Sequence, residues 1–292
     1  MTNIHFYGVR GSIPAARPSH MNYGGNTSCV VAAVGNELVV IDSGSGMVKL
    51  GEELMGTAFG QGHGKLHLLQ THFHWDHIQG LPYFKPIYVS GNELHIYGEG
   101  KTIDGKEYSI EELLRGMMKA PYHPVPYEAT PSQKIHHELQ PGSKLYLPHA
   151  EIEAVRVNHP NGGLGYILHS DEGNVAFLWD HEHDHAEIDK SLREKLQGTE
   201  VLIYDTFCTE DEYHGRNGQF SKKGWGHSTP QEGAKLAQDI GAQRLFLMHH
   251  GPHDDQKLDQ IVQEVRHKFP NTYAAQEGMQ IEVASLLYER AA

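Results

Sequence analysis

Residues 71–77 read Thr71-His72-Phe73-His74-Trp75-Asp76-His77, which places three imidazoles and a carboxylate in the pattern H-x-H-x-D-H. The stretch follows Leu66-His67-Leu68-Leu69-Gln70, an apolar run that reads as a strand. Side chains two residues apart on an extended chain share a side, so His72 and His74 point the same way. Asp76 and His77 then come off a turn or the first turn of a helix. Imidazoles and a carboxylate converging at a strand end form a cage for a borderline cation such as zinc. The bland alternative is a polar loop rich in His by chance, in a chain that holds 23 of them. A further ligand-like position argues against it: His159 follows an apolar strand and precedes the glycines of Asn161-Gly162-Gly163.

The elements that must present these groups follow from hydrophobic pattern. Residues 3–9 and 29–41 alternate or run apolar and β-branched and read as strands, with a loop from 11 to 26 between them. A helix is expected over 47–59, the motif-bearing strand over 66–70, and a short strand over 94–97. Ser109 is a plausible N-cap for a helix over 109–119, with Glu111 and Glu112 in its first turn. Residues 120–131 hold four prolines and are expected to be irregular. Strands over 151–157, 164–169 and 174–179 come next. After them come a helix over 186–197, a strand over 201–205, a helix over 229–240, a strand over 244–248, a helix over 255–269 and a last strand near 280–287. A strand meander followed by β-α alternation belongs to the α+β class, and no internal repeat is visible.

Composition narrows the partners. The 292 residues contain no Pro/Ser-rich or charged linker, which favours one domain over 1–292. A net charge of −13 is adverse to a long polyanion, and no basic stripe is visible, so extended nucleic acid is not the expected partner. A small phosphorylated ligand is still compatible, because bound cations would set the local field. The N-terminal residues show no signal-peptide pattern and no stretch is apolar enough to span a membrane. A cytoplasmic protein is expected, with Cys29 and Cys208 as buried thiols. A homodimer is compatible with the sequence. Gly98-Glu99-Gly100-Lys101-Thr102 ends like a phosphate-binding loop, but His95 stands where its first glycine is required. His181, His183 and His185 read as a solvated tract rather than a mouth of the site.

H-x-H-x-D-H after an apolar strand resembles the metallo-β-lactamase superfamily, over nearly the whole chain. The nearest likeness is to the phosphodiesterase branch that includes RNase Z and the cyclic-phosphate diesterases. That resemblance implies a four-layer αββα sandwich with a one- or two-metal site on one edge. It implies His72, His74 and His159 on one divalent ion and Asp76, His77 and His249 on a second, with Asp180 bridging. No thiolate is involved, so Zn2+ is favoured, with Mn2+ or Fe2+ compatible. His250 should be turned away by strand alternation. Asp42 resembles the family's aspartate that holds a ligand imidazole in the right tautomer. Gly226-His227-Ser228-Thr229 resembles the branch's H-S-T element, whose His is catalytic and not a ligand. Asp205 matches the acidic position that orients it. Asp76 would also accept or orient the proton of the attacking water. Gly24-Gly25-Asn26-Thr27-Ser28 looks like this branch too; Asn26, Thr27 or Ser28 could donate to a phosphate, or the stretch could be turn chemistry alone.

The implied activity is metal-dependent cleavage of a phosphodiester. Relatives that process tRNA carry a protruding arm, whereas His159 and Asp180 are separated by room for little more than a hairpin. A small substrate such as a cyclic nucleotide or cyclic phosphate is therefore expected. The alternatives are an RNase Z-like endonuclease, a hydrolase of thioesters, lactones or β-lactams, and a catalytically silent, metal-stabilised partner domain.

Overall fold

The computed structural model describes residues 1–284. The N-terminal half runs β1 (Thr2–Gly8), β2 (Cys29–Val34), β3 (Glu37–Ile41), α1 (Gly46–Leu54), β4 (Lys65–Leu69), α2 (Trp75–Ile78), β5 (Glu93–Gly98), a small hairpin β6 (Lys101–Ile103) and β7 (Lys106–Tyr108), then α3 (Ile110–Met117) and β8 (Gln133–Glu138). The C-terminal half runs β9 (Lys144–Leu147), β10 (Ala150–Val157), β11 (Gly163–Ser170), β12 (Gly173–Leu178), α4 (Ala186–Lys195), β13 (Val201–Asp205), α5 (Glu210–His214), α6 (Pro230–Asp239), β14 (Arg244–Met248), α7 (Asp255–Arg266), β15 (Thr272–Ala274) and β16 (Gln280–Glu282).

Two seven-stranded sheets result, in the orders β16-β1-β2-β3-β4-β5-β8 and β15-β14-β13-β12-β11-β10-β9. Strand alternation assigns each side chain to a layer. In β2, Val30, Ala32 and Val34 enter the core between the sheets, while Cys29 and Val31 face α1 and α3. In β12, Val175 and Phe177 point inward, and Ala176 and Leu178 pack against the layer that holds α4, α6 and α7. Strands covered on both faces read as continuous apolar runs, which is why they stand out in the sequence. The order of layers is helix, sheet, sheet, helix, as the resemblance implied.

A duplication invisible in the sequence appears in the pairing. Along one sheet from β16, and along the other from β9, three antiparallel pairings are followed by three parallel ones. β3 and β12 hold the same place in the two sheets. Each is left through an aspartate in the left-handed region, Asp42 at φ 62° and Asp180 at φ 56°. The candidate site gathers where these strands end.

Several boundaries differ from expectation. The run 29–41 is a hairpin, because Gly35, at φ 59°, turns the chain between β2 and β3. The helix expected over 47–59 stops at Leu54, and a 3-10 turn follows at Ala58–Gln61. β8, β9, β15, α5 and the β6–β7 hairpin were not anticipated. The last strand covers Gln280–Glu282, and residues 285–287 lie outside the described residues. Ser109 caps α3 as expected, in a reciprocal box with Glu112. Cys29 and Cys208 are buried and unpaired. No helix among the described residues is long and apolar enough to cross a membrane.

Arg10 ties the ends of the chain together. It is buried, and its guanidinium donates to Gly24 O at 2.8 Å, His253 O at 2.7 Å and His20 O at 3.2 Å, beside Asp255 at 3.6 Å. Arg10→Met keeps the bulk and strands these acceptors. Urea unfolding should show a loss of about 3–5 kcal/mol; a loss under about 1 kcal/mol, the size of one ordinary hydrogen bond, would mean the carbonyls find other donors.

Candidate metal centre

β4 lies between β3 and β5, parallel to both, and delivers Gln70 to His77 into the rim of the sandwich. The other sheet fixes the course of that segment: Tyr166 Oη donates to Gln70 O at 2.7 Å and Leu164 N to Thr71 O at 3.0 Å. His74 then precedes α2, whose short turn carries Asp76 and His77.

The seven expected ligands converge in two groups. In the first, His74 Nδ1 lies 2.9 Å from His72 Nε2 and 3.0 Å from His159 Nε2. In the second, His77 Nε2 and His249 Nε2 each lie 3.2 Å from Asp76 Oδ2. Asp180 stands between them. Its Oδ2 is 3.2 Å from both His77 Nε2 and His249 Nε2, and its Oδ1 is 3.6 Å from His159 Nε2 and 3.9 Å from His72 Nε2.

The backing hydrogen bonds turn the lone pairs inward. His159 Nδ1 donates to Gly226 O at 2.8 Å, and His72 Nδ1 meets Thr71 Oγ1 at 3.0 Å while that hydroxyl gives its own proton to Asp42. His77 Nδ1 donates to Asp42 Oδ2 at 2.6 Å. Asp42 is fully buried and also accepts from Trp179 Nε1 at 2.7 Å, Thr71 N at 2.8 Å and Gln70 Nε2 at 3.0 Å. A ligand imidazole fixed in one tautomer by a carboxylate or carbonyl is the arrangement metal-binding His residues adopt.

The donor set fits divalent cations. His77 Nε2 and Asp180 Oδ2 are buried without a hydrogen-bond partner, and an unpaired buried polar atom costs about 1–3 kcal/mol. Burial pushes His72 well down and His159 down to about 4, so both are neutral and ready to coordinate. Burial alone would lower His77 and His249, but the carboxylates of Asp180 and Asp76 outweigh it and raise both. Burial would likewise raise Asp76 and Asp180, yet the imidazoles around them hold both well below the usual carboxylate range. The second group thus demands positive charge, which protons or a metal ion can supply.

His227 sits beside this cluster rather than in the first group. Its Nδ1 is 2.9 Å from Asp205 Oδ2, and its ring stacks on Phe207 at 4.4 Å and on His249 at 5.1 Å. Asp205 is fully buried and also accepts from Asp180 N at 2.8 Å, Phe207 N at 3.0 Å and Ser228 N at 3.2 Å. His250 is turned away, donating to Ala275 O at 2.9 Å, and burial pushes it down to about 3.

Three expectations need correction or completion. Of Asn26, Thr27 and Ser28, expected as donors to a phosphate, two are withdrawn from the surface and the third is engaged within the fold. Thr27 and Ser28 are wholly buried, and Asn26 is held by Glu277 at 3.0 Å and Ser45 at 2.9 Å. Thr27 Oγ1 instead accepts from Ser45 N and Gln79 Nε2. The His181–His185 tract is not solvated throughout: His181 and His183 are buried, with His183 Nδ1 at 2.9 Å from Ser228 Oγ. His185 alone of the three is exposed. Glu182 was missed; it accepts from Gly224 N and Gly226 N, both at 2.7 Å, and so fixes the carbonyl that orients His159.

The N-terminal glycine loop serves the site through its backbone. Ser12, at φ 65°, donates its N–H to Asp76 Oδ2 at 2.7 Å. A Cβ on Gly11 would lie 2.4 Å from His249 Cε1. Neither contact leaves a side-chain signature in the sequence.

A helix–sheet–sheet–helix sandwich with a His/Asp cluster at one rim defines a metallohydrolase fold. A family model described as a β-lactamase superfamily domain matches residues 39–250, and the chain belongs to the metallo-β-lactamase superfamily. Ribonuclease Z from Thermoplasma volcanium is 26% identical over 246 residues, covering 73% of this chain and 78% of that protein. The crystal structure of human tRNase Z, short form, superposes with a TM-score of 0.65 at 19% identity, covering 96% of this chain and 99% of the other. A diphosphatase of the PhnP family superposes with a TM-score of 0.64 at 19% identity, covering 97% and 98%. At such identities the superpositions establish the fold.

Stripping bound metal with a chelator should lower the melting temperature, and adding Zn2+ should restore it. Saturation at a thousand times Kd stabilises by about 4 kcal/mol. Gly11→Ala, which drives a methyl into His249, should reduce metal content per chain. Unchanged melting on chelation, or full metal content in Gly11→Ala, would contradict the arrangement.

Proposed function

We propose that the protein is a binuclear metal-dependent phosphodiesterase acting on a small substrate such as a cyclic nucleotide or cyclic phosphate. The observation that carries this reading is the His227–Asp205 pair beside the ligand cluster. Its geometry suits a general acid: Nδ1 is engaged by a carboxylate anchored on three backbone N–H groups, so Nε2 is the nitrogen left to serve the substrate. A thioester expels a thiolate that leaves without a proton, whereas a ribose alkoxide expelled from phosphorus needs one.

His72, His74 and His159 would hold one ion and Asp76, His77 and His249 the other, with one oxygen of Asp180 for each. Two divalent cations there, zinc being favoured by the His/carboxylate set, would acidify a water and neutralise phosphoryl oxygens. Asp76, steadied by the Ser12 N–H, would orient that water or take its proton. His227, aligned by Asp205, would donate a proton to the departing oxygen. Asp42 would hold His77 in the metal-binding tautomer.

Two features of this chain favour a small substrate. Between His159 and Asp180 there is only the β11–β12 hairpin, with no arm. The net charge of −13 disfavours a long RNA. We place the protein in the cytoplasm, where two buried, unpaired thiols suit the reducing conditions.

Elemental analysis should find about two transition-metal ions per chain, the number that two such ligand groups would hold. Asp180→Ala should lose more metal than any single His variant. One ion with full activity would sink the two-ion assignment. In a panel of a cyclic nucleotide, an aryl phosphodiester, a thioester, a lactone, a β-lactam and a pre-tRNA, the first two should be cleaved; efficient, site-specific cutting of the pre-tRNA would overturn the small-substrate reading.

Leaving-group chemistry tests His227. A ribose alkoxide needs a proton to leave and a nitrophenolate does not. His227→Ala should therefore lower kcat on a cyclic nucleotide by roughly 10²–10⁴-fold, slow an activated aryl diester far less, and retain metal. Asp205→Asn should show the same pattern in milder form. Loss of metal, or equal slowing of both substrates, would remove His227 from this role.

A further inference from the structure

Two recesses flank the ligand cluster, and they differ in chemistry. One, of about 440 Å3, opens on the His159 side and is polar, lined among others by Glu182, His183, Asp184, His185 and Lys223. The other, of about 180 Å3, is walled mainly by Ile13, Pro14, Ala15, Phe207 and Pro252. Three residues lining the apolar recess touch the site itself. Gly11 packs on His249, Ser12 donates to Asp76, and Phe207 stacks on His227. The apolar recess therefore adjoins the oxygen that His227 would protonate.

We infer that this recess is a subsite for one planar heteroaromatic ring, a nucleobase, carried by the phosphodiester; the inference rests on the function proposed above. Its volume lies below the roughly 300–1,000 Å3 of pockets for drug-sized ligands, so it takes one ring system and not a second nucleoside. Phe207 has His227 against one face and the Lys222 ammonium 5.0 Å from its centroid, which leaves its edge for the recess. Ring edges carry the positive part of the aromatic quadrupole and meet the face of a second ring. Ile13 stands at the rim with 71% of its surface in water, a large apolar group that a bound ring would cover. Arg10 also lines the recess, but its guanidinium is held by three backbone carbonyls and Asp255. Arg17, exposed on the same wall, supplies donors for the ring nitrogens and carbonyls of a base.

The test pairs binding with kinetics on the metal-loaded protein. Binding is measured for a nucleoside monophosphate and for ribose phosphate; KM and kcat are measured for a cyclic nucleotide and for a base-free cyclic phosphate. Ala15→Trp fills the recess from its rim, and Ile13→Ala trims it. The native protein should bind the nucleoside monophosphate about 10-fold more tightly than ribose phosphate, the scale of one base–aromatic contact. Ala15→Trp should abolish that preference and raise KM for the cyclic nucleotide by a similar factor, with both constants for the base-free substrate unchanged. Ile13→Ala should shift the same values by roughly threefold, as loss of about 25 Å2 of apolar contact predicts, and serves if Ala15→Trp does not fold. Absence of any preference for the base, or equal shifts on both substrates, overturns the subsite. If no phosphodiester is cleaved while the base preference and its loss persist, the subsite stands and the proposed reaction falls.

Discussion

The carboxylate of Asp42 is the point on which the rest of the site is hung. It is buried and accepts five hydrogen bonds, four of them from Gln70, Thr71 and His77 in the segment after β4 and one from Trp179 just after β12 of the other sheet. A carboxylate removed from water is tolerable only when its lone pairs are met in this way. The same bonds settle which nitrogen of His77 faces inward, and through Thr71 they settle His72 as well. Sheet packing and ligand tautomer are thus one problem with one solution. Asp42 reaches that place at a positive φ, a conformation that the surrounding contacts must hold.

The two halves use the same position for opposite ends. Asp42 leaves β3 and supports imidazoles from behind, while Asp180 leaves β12 and lies between the two ligand groups. One strand further along each sheet, β4 is followed by the His-rich segment and β13 ends on Asp205. The repeated backbone provides two sets of strand exits at one rim, and residue type alone decides which exit binds, which backs and which orients. Chemistry diverges here without any change in the path of the chain.

The sequence made the central strands legible because they are covered on both faces and so are apolar throughout, as in Val39–Ile41, Leu245–Met248 and Val201–Tyr204. The edge strands were not legible for the converse reason. β8 reads Gln-Lys-Ile-His-His-Glu, and its outward side carries no apolar demand. The ligands were readable from type and spacing at strand ends. Glu182 was not, since its partners are the backbone N–H groups of Gly224 and Gly226, far along the chain. The contacts of Gly11 and Ser12 were hidden in the same way, because packing and a main-chain donor leave no mark on residue type. His181 and His183 misled in the other direction: a His-rich stretch looks soluble, yet both are buried where α4 and α6 close over β13.

Residues 1–38 lie outside the stretch that the family model matches and hold none of the seven candidate ligands, yet they build β1 and β2 and bring Ser12 to Asp76. The contacts that complete the second ligand group are remote along the chain: Ser12 to Asp76 spans 64 positions and His249 to Asp76 spans 173. Arg10 reaches 243 positions to His253. Long-range contacts of this kind form only after large loops have closed, which slows their appearance during folding. The first three imidazoles lie nearer one another in sequence, and His72 and His74 are two residues apart. By sequence separation, the His72–His74 pair is the most local part of the site, and His159 joins it across 85 positions. The Asp76–His77–His249 side is finished only when β14 of the second sheet has carried His249 to Asp76.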